Sequence, residues 1–276
     1  MAKIEQRDAK ELEAGYSRVH RAYELGGILL TSSTLVWLCV RTAHAPTLSG
    51  WWVPLAMLLG MLFADLTSGV AHWAFDTWGN VDTPVVGRLA IRTFRHHHVD
   101  QKAITRHDFV ETNGHNFALA LLPASIGVWC VRPATATLSD VFVGMSLASA
   151  TVFVALTSQI HKWAHMERPP RVVHWLQRAG LLLSPEHHAA HHAPPYTRSY
   201  CITVGWLNGP LRAFRVFEGL ERLITACTGA IPREDDTGKA AAEAVARAAA
   251  EELEANRAAM LQPPAPPASS QASERQ

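Results

Sequence analysis

Four long apolar segments constrain the fold of this 276-residue chain more than any other feature of its sequence. They cover residues 26–43, 51–71, 117–131 and 141–160. Because a helix of about 20 apolar residues spans the hydrocarbon core of a bilayer, each segment comes close to the required length. The third segment is short, and the second contains Asp65. Together they predict an all-α, polytopic membrane protein with about four transmembrane helices.

The alternative is a soluble bundle of four buried helices, which a mean hydropathy of +0.02 would allow. The distribution of Lys and Arg argues against it. Basic residues precede the first segment, separate the second from the third and follow the fourth, whereas residues 44–50 and 133–140 contain none. By the positive-inside rule, both termini are cytoplasmic. The Ala- and Arg-rich composition favours a bacterial inner membrane.

Nine of the fifteen histidines form three tight clusters beside the apolar segments, at positions 96–98, 161–165 and 187–192. A tenth, His72, lies just after the second segment, and all ten are on the predicted cytoplasmic side. Imidazole ligands suit iron, copper, nickel and zinc. The four cysteines form no C-x-x-C pair and indicate neither a disulfide framework nor a zinc ribbon. The pattern predicts a nitrogen-rich metal site at the membrane face.

The spacing of the histidines places several of them on shared helix faces. His161 and His165 are four residues apart, so they project from one side of a helix that continues the fourth segment. Ser184 followed by proline is typical of a helix start. We expect this second helix to run through His192 and to carry two stripes, one of positions 187 and 191 and the other of positions 188 and 192.

So many histidines exceed the needs of one catalytic zinc, which usually takes three protein ligands. Two metal ions are therefore expected. The predicted metal ligands are His72, His97, His98, His107, His161, His165, His187, His188, His191 and His192. The carboxylates predicted to orient these imidazoles in the catalytic site are Asp76, Asp100, Asp108 and Glu111. His20, His44, His115 and His174 are not assigned to the metal.

Six segments carry a resemblance to a known family: residues 71–79, 97–98, 104–114, 159–165, 187–192 and 200–208. They closely resemble the CarF-type plasmanylethanolamine desaturases of the lipid desaturase (Kua) family, which also includes the plant FAD4-like enzymes. The likeness runs from about residue 25 to 225. Three positions depart from the family pattern, because His96 and His115 stand where we expect an acidic residue and Gln101 where we expect proline.

The resemblance implies that the chain oxidises the 1-O-alkyl chain of an ether phospholipid to the vinyl ether of a plasmalogen. It implies a di-iron centre, O2 as co-substrate and electrons from a separate carrier that is cytochrome b5-like or ferredoxin-like. The family's histidine boxes correspond to residues 161–165 and 187–191, and the other predicted ligands also match family histidines. Arg92, Arg95 and Lys102 are candidates to hold the phosphate headgroup. No nucleic-acid partner is expected.

Three other functions remain open: a desaturase or hydroxylase of ester-linked acyl chains, a membrane zinc hydrolase, and a non-catalytic metal-binding scaffold. The predicted domain organisation is a cytoplasmic N-terminal segment at 1–25, a membrane lipid desaturase domain at 26–228, and an Ala-rich helix with a disordered Pro/Ser/Gln tail at 229–276. Within the second part, an amphipathic helix from Leu211 to Cys227 is expected on the membrane surface.

Overall fold

The computed structural model describes residues 17–45, 50–80, 82–193 and 196–233, apart from the side chains at positions 88, 89, 96 and 99. Every regular element in these ranges is helical. The helices are α1 (Arg18–Ala43), α2 (Trp52–Thr77), a π-helical turn (Gly87–Ile91), α3 (Arg92–Val99), α4 (Ala103–Arg106), α5 (Phe109–Cys130), α6 (Leu138–His165), α7 (Arg171–Arg178), α8 (Pro185–Ala189), α9 (Asn208–Ala213) and α10 (Val216–Thr228). Most of the predicted N-terminal segment and nearly all of the Ala-rich tail lie outside the described residues.

Three of the described helices, α1, α2 and α6, are long and apolar enough to cross a membrane. They contain nearly all of the first, second and fourth predicted spans. All but the last residue of the predicted third span lies within α5, which has 22 residues but is not among these three. The all-helical prediction is confirmed, and the number of spans stays a prediction.

Close contacts between small residues bring the long helices together. α6 packs against α2 and α5, and α5 packs against α1. A Cβ added at Gly60 in α2 would lie 2.0 Å from the carbonyl oxygen of Ser146 in α6. A Cβ added at Gly144 would lie 2.3 Å from Val131. Such small residues let helix backbones approach each other within a membrane, where burial of apolar surface cannot drive association.

Side-chain caps fix the starts of α5, α6 and α8. Thr137 and Asp140 form a reciprocal capping box at the start of α6. The Asp108 side chain accepts a hydrogen bond from the backbone N–H of Glu111 at 2.9 Å and begins α5. Ser184 caps α8 in the way its sequence predicts, accepting from the backbone N–H of His187 at 3.2 Å. Each cap satisfies a backbone N–H group that the first turn of the helix leaves without an intrahelical partner.

Two predicted helices differ from the structure. The helix expected to run through His192 ends at Ala189, and a turn carries the last two histidines of the cluster. The amphipathic helix expected at 211–227 is divided into α9 and α10, because Arg215 adopts a left-handed conformation with φ of 50°. α10 buries none of its residues, and Phe214 before it is 81% exposed.

Candidate metal centre

The fold brings nine side chains into two groups that could each hold a metal ion. The five-histidine group consists of His97, His161, His165, His188 and His192. The aspartate group consists of His72, Asp76, His98 and His191. Within each group, one potential ligand atom from every residue lies within 4.8 Å of the others. The prediction from sequence had placed all nine among the metal-binding or catalytic residues without dividing them.

Four helical elements supply the two groups. α2 supplies His72 and Asp76 near its C-terminal end, α3 supplies two histidines, α6 supplies two from its last turns, and α8 with the following turn supplies three. Neighbouring residues in the sequence go to different groups. His191 belongs to the aspartate group and His192 to the five-histidine group, with their ring centroids 5.3 Å apart. The two groups are therefore adjacent parts of one centre.

Polar contacts between the helices hold the ligand-bearing elements in place. The Arg95 guanidinium in α3 donates to the carbonyl oxygen of Gly79 at 2.9 Å, which anchors α3 to the end of α2. The Asn113 amide in α5 donates to Gln159 Oε1 in α6 at 3.1 Å, two residues before the first α6 ligand. Fixed elements hold imidazoles in a set geometry, as a metal site requires.

Hydrogen bonds cannot account for the close approach of nitrogens in the five-histidine group. His165 Nε2 lies 2.9 Å from His97 Nε2, 3.1 Å from His161 Nε2 and 2.9 Å from His188 Nε2. An imidazole nitrogen carries either one proton or one lone pair, so it can form one such bond but not three. A cation at the centre would accept all five lone pairs. The donor set therefore fits a metal ion.

The aspartate group is buried and shows the same need for a cation. Asp76 Oδ2 lies 3.1 Å from His98 Nε2 and 3.5 Å from the Nε2 atoms of His72 and His191. The second nitrogen of His191 donates to the carbonyl oxygen of Arg198 at 3.0 Å. That hydrogen bond leaves Nε2 with its lone pair directed into the group, as in other metal sites with an outer hydrogen-bond partner.

Burial favours the uncharged form of the imidazoles outside the long apolar helices. Desolvation holds the pKa of His97 and His188 well below the ordinary value of 6.5. It lowers the pKa of His191 to about 4 and that of His192 to about 2, with neighbouring imidazoles adding to the effect. Neutral imidazoles carry the lone pair that a metal ion needs, so these groups are ready to bind at neutral pH.

Two predicted ligands lie outside both groups. His107 follows the last residue of α4, is 42% exposed and lies 3.7 Å from Glu111. His187 faces away from the centre, and its Nε2 accepts a hydrogen bond from the Asn208 amide at 3.0 Å. Neighbouring residues of a helix point about 100° apart, and of this pair only His188 points into the centre. The two predicted stripes on α8 do not form, because the helix ends before His191.

Three of the predicted orienting carboxylates also lie elsewhere. Asp100 accepts a hydrogen bond from Arg106 at 2.6 Å. Asp108 caps α5 and pairs with Arg21 at 2.8 Å, and Glu111 faces His107. Asp76, in contrast, belongs to the aspartate group itself, at ligand distance rather than behind a ligand. Of the predicted headgroup residues, Lys102 forms an ion pair with Glu167.

Asp65 has a structural role that the sequence analysis did not assign. It is fully buried in the middle of α2. Its carboxylate accepts three backbone N–H bonds, from Val204 at 2.9 Å, Gly205 at 2.8 Å and Leu207 at 3.1 Å. The available signal was a charged residue inside an apolar segment, which usually marks a buried partner or a functional site.

Comparisons with known proteins identify the family to which the chain is similar. The family model described as "Lipid desaturase domain" matches residues 61–235. Plasmanylethanolamine desaturase of Myxococcus xanthus is 48% identical over 90% of this chain and 87% of its own length. Plasmanylethanolamine desaturase 1 of mouse is 40% identical over 83% of this chain and 86% of its own length. Fatty acid desaturase 4 of Arabidopsis thaliana is 39% identical, over 65% of this chain and 54% of its own length.

No solved structure matches the chain. The family model covers well over half of the 276 residues, including every member of the two groups. The relatives from Myxococcus and mouse align over most of their own length. The chain belongs to the lipid desaturase family.

Proposed function

We propose that this chain is a plasmanylethanolamine desaturase that uses two iron ions and O2 to form the vinyl ether of plasmalogens. The observation that carries the proposal is the pair of adjacent imidazole-rich groups at the ends of apolar helices. The Myxococcus and mouse relatives that bear this name support the substrate class, since both align with most of the chain. Membership of the lipid desaturase family, together with the long apolar helices, supports the general class of integral membrane oxidoreductase.

The spacing of the ring nitrogens favours iron over zinc in the five-histidine group. Nitrogens bound about 2.1 Å from a metal lie about 3.0 Å apart at adjacent corners of an octahedron and about 3.4 Å apart in the tetrahedral arrangement usual for zinc. The five closest pairs in this group are separated by 2.8–3.1 Å. Five imidazoles also exceed the three or four ligands that zinc takes in proteins.

The five-histidine group would hold one iron ion and the aspartate group the other. Bound there, the two ions would supply the activation of O2 that oxidation of an unactivated C–H bond requires. The overall reaction converts the alkyl ether, O2, two electrons and two protons into the vinyl ether and two molecules of water. The electrons would come from a separate cytochrome b5-like or ferredoxin-like carrier.

The protein's own residues would keep the centre dry. The His72 ring is 1% exposed and contacts the ring of Phe94, with the centroids 5.0 Å apart. Phe63, Leu66 and Val70 form an exposed apolar stripe on the opposite face of α2, which suits contact with lipid. Exclusion of water protects a reactive oxidant from side reactions.

The site would lie on the cytoplasmic face of the membrane, with both termini on that side. The distribution of Lys and Arg supports this orientation, because the segments joining α1 to α2 and α5 to α6 contain almost no basic residues. The same face would give a soluble or membrane-bound electron carrier access to the centre. In a bacterial host the enzyme would lie in the inner membrane.

Lipid analysis tests the proposed activity directly. The protein and two variants, His188→Ala and His44→Ala, would be expressed in cells that make ether phospholipids but no plasmalogens. Lipids would be measured by mass spectrometry before and after mild acid, which cleaves vinyl ethers. We expect acid-labile products from the native protein and from His44→Ala, since His44 is exposed and distant from the centre. His188→Ala should give none, because it removes a ligand from the five-histidine group.

The Arabidopsis relatives favour a second candidate, desaturation of an ester-linked acyl chain. This activity would appear in the same experiment as a loss of two hydrogens from ester-linked chains, in products that resist mild acid. If such products appear and vinyl ethers do not, the substrate is an ester-linked acyl chain and not the alkyl chain of an ether lipid. Metal analysis separates both oxidases from a zinc hydrolase, because about two iron ions per chain are expected for the oxidases and one zinc for the hydrolase.

A further inference from the structure

A third group of potential metal ligands lies between α1 and α5, apart from the desaturase centre. It consists of His20 and Glu24, one turn apart in α1, and His115 in α5. One ligand atom of each residue lies within 4.8 Å of the others. The Glu24 side chain is 1% exposed, whereas those of His20 and His115 are 28% and 52% exposed. The site thus has a buried carboxylate and an open side toward solvent.

We propose that these three residues bind a zinc ion that clamps α1 to α5. Two imidazoles and one carboxylate form a ligand set found in three-coordinate protein sites that leave a fourth position to water. A zinc site of this kind requires neither a cysteine nor a second carboxylate. A dication beside the buried Glu24 carboxylate would also offset part of the cost of burying its charge.

The distances between the donor atoms support zinc. Glu24 Oε1 lies 3.5 Å from His20 Nε2 and 3.3 Å from His115 Nδ1. Both distances exceed the roughly 2.7–2.9 Å of a charge-assisted N–H···O bond. Donors about 2.0–2.1 Å from a tetrahedral ion lie about 3.4 Å apart, which agrees with the observed spacing. This spacing is wider than that of the nitrogens in the five-histidine group but close to the 3.1–3.5 Å of the aspartate group, so the ligand set together with the spacing carries the assignment to zinc.

The backbone geometry brings the two helices close enough to share an ion. A Cβ added at Gly114, beside His115, would lie 2.3 Å from Cβ of Glu24. Only glycine therefore allows α5 to approach α1 this closely at the site. Asn113, the residue before Gly114, donates to Gln159 of α6. A zinc ion at this position would fix α5 and, through that hydrogen bond, the end of α6 that carries two histidines of the centre.

Metal analysis of the purified protein tests the proposal. The native protein and the variants His20→Gln, His115→Gln, His115→Asp and His44→Gln would be prepared in detergent, equilibrated with zinc and desalted. Zinc and iron would then be measured by mass spectrometry. His44→Gln is the control because it removes an exposed histidine from the opposite end of α1.

We expect the native protein and His44→Gln to retain one zinc ion more than His20→Gln and His115→Gln, with equal iron in all four. His115→Asp should restore the zinc because a carboxylate can replace the imidazole as a ligand. Zinc affinity should fall at least tenfold in the two Gln variants. Added zinc should raise the melting temperature of the native protein and not of these variants.

Equal zinc content and an equal melting response in the native protein and both Gln variants would overturn the proposal. Loss of iron together with zinc in those variants would also overturn it, since the residues would then support the desaturase centre rather than a separate ion. This experiment measures metal content and melting temperature, not vinyl ether formation. It can therefore refute the zinc site without refuting the proposed desaturase activity, and the lipid analysis can refute the activity without refuting the zinc site.

Discussion

Replacing Asp65 by Asn tests how a buried charge in α2 holds the segment beside the metal centre. The carboxylate accepts backbone N–H bonds from Val204, Gly205 and Leu207. An Asn side chain would keep one oxygen to accept from the N–H groups of Val204 and Gly205. Its NH2 group would face the N–H of Leu207, which would lose its acceptor. The substitution preserves size and shape, so its effect reports the hydrogen bonds rather than a cavity.

The expected cost follows from these three bonds. Losing the negative charge weakens the two retained bonds by about 1 kcal/mol each, and the unpaired Leu207 N–H costs about 1–3 kcal/mol more. Removing a buried charge returns part of this energy, because the charge itself is costly to bury. A net loss of about 2–4 kcal/mol remains. Since about 1.4 kcal/mol corresponds to a factor of ten, the segment should open at least about 30-fold more often.

Amide hydrogen exchange measured by mass spectrometry gives the readout. Peptides that contain Val204 and Gly205 should exchange at least about 30-fold faster in Asp65→Asn than in the native protein. Asp82→Asn, a substitution at an exposed residue, is the control and should leave this exchange unchanged. Exchange within threefold of the native rate in Asp65→Asn would refute the reasoning, because the three bonds would then contribute little to holding the segment.

Three further predictions concern the centre and the helix packing. His188→Ala should lower bound iron by at least half, whereas His187→Ala should retain it. If metal analysis shows that His187→Ala loses more iron than His188→Ala, the assignment of His188 and not His187 to the centre is wrong. Gly60→Ala should destabilise the protein by about 1–3 kcal/mol, seen as a lower melting temperature, because its Cβ would collide with the Ser146 carbonyl; an unchanged melting temperature would argue against this packing. Removing metal with a chelator should lower the melting temperature and restoring iron should reverse the change, since ions that bind the folded state stabilise it; no change would argue against bound metal.

Much of the fold could be predicted from the sequence because its signals are local. Apolar segments long enough to cross a bilayer marked the helices that became α1, α2 and α6. The cap at Ser184 was visible as a serine before a proline. The same local signals overextended α8 and joined α9 to α10, because the residues where the chain turns carry no glycine to mark the break at Ala190 or Arg215.

The division of the histidines into two groups depends on contacts between distant parts of the chain. His97 and His98 are neighbours in the sequence, yet one faces α6 and the other faces Asp76. No spacing rule assigns them, since the partner of each imidazole lies about 20 to 70 residues away. The exposed position of His107 and the hydrogen bond from Asn208 to His187 were likewise invisible in local patterns.

The sequence alone determined that this protein has long apolar helices and clusters of imidazoles suited to a metal, because hydrophobic length and ligand type are properties of the residues themselves. Only the tertiary structure decided which imidazoles lie close enough to share an ion and that Asp76 joins them. It also placed Asp65 against three backbone N–H groups and brought His115 to Glu24. These results depend on helix packing, in which glycines and interhelical hydrogen bonds set the distance and rotation of each helix.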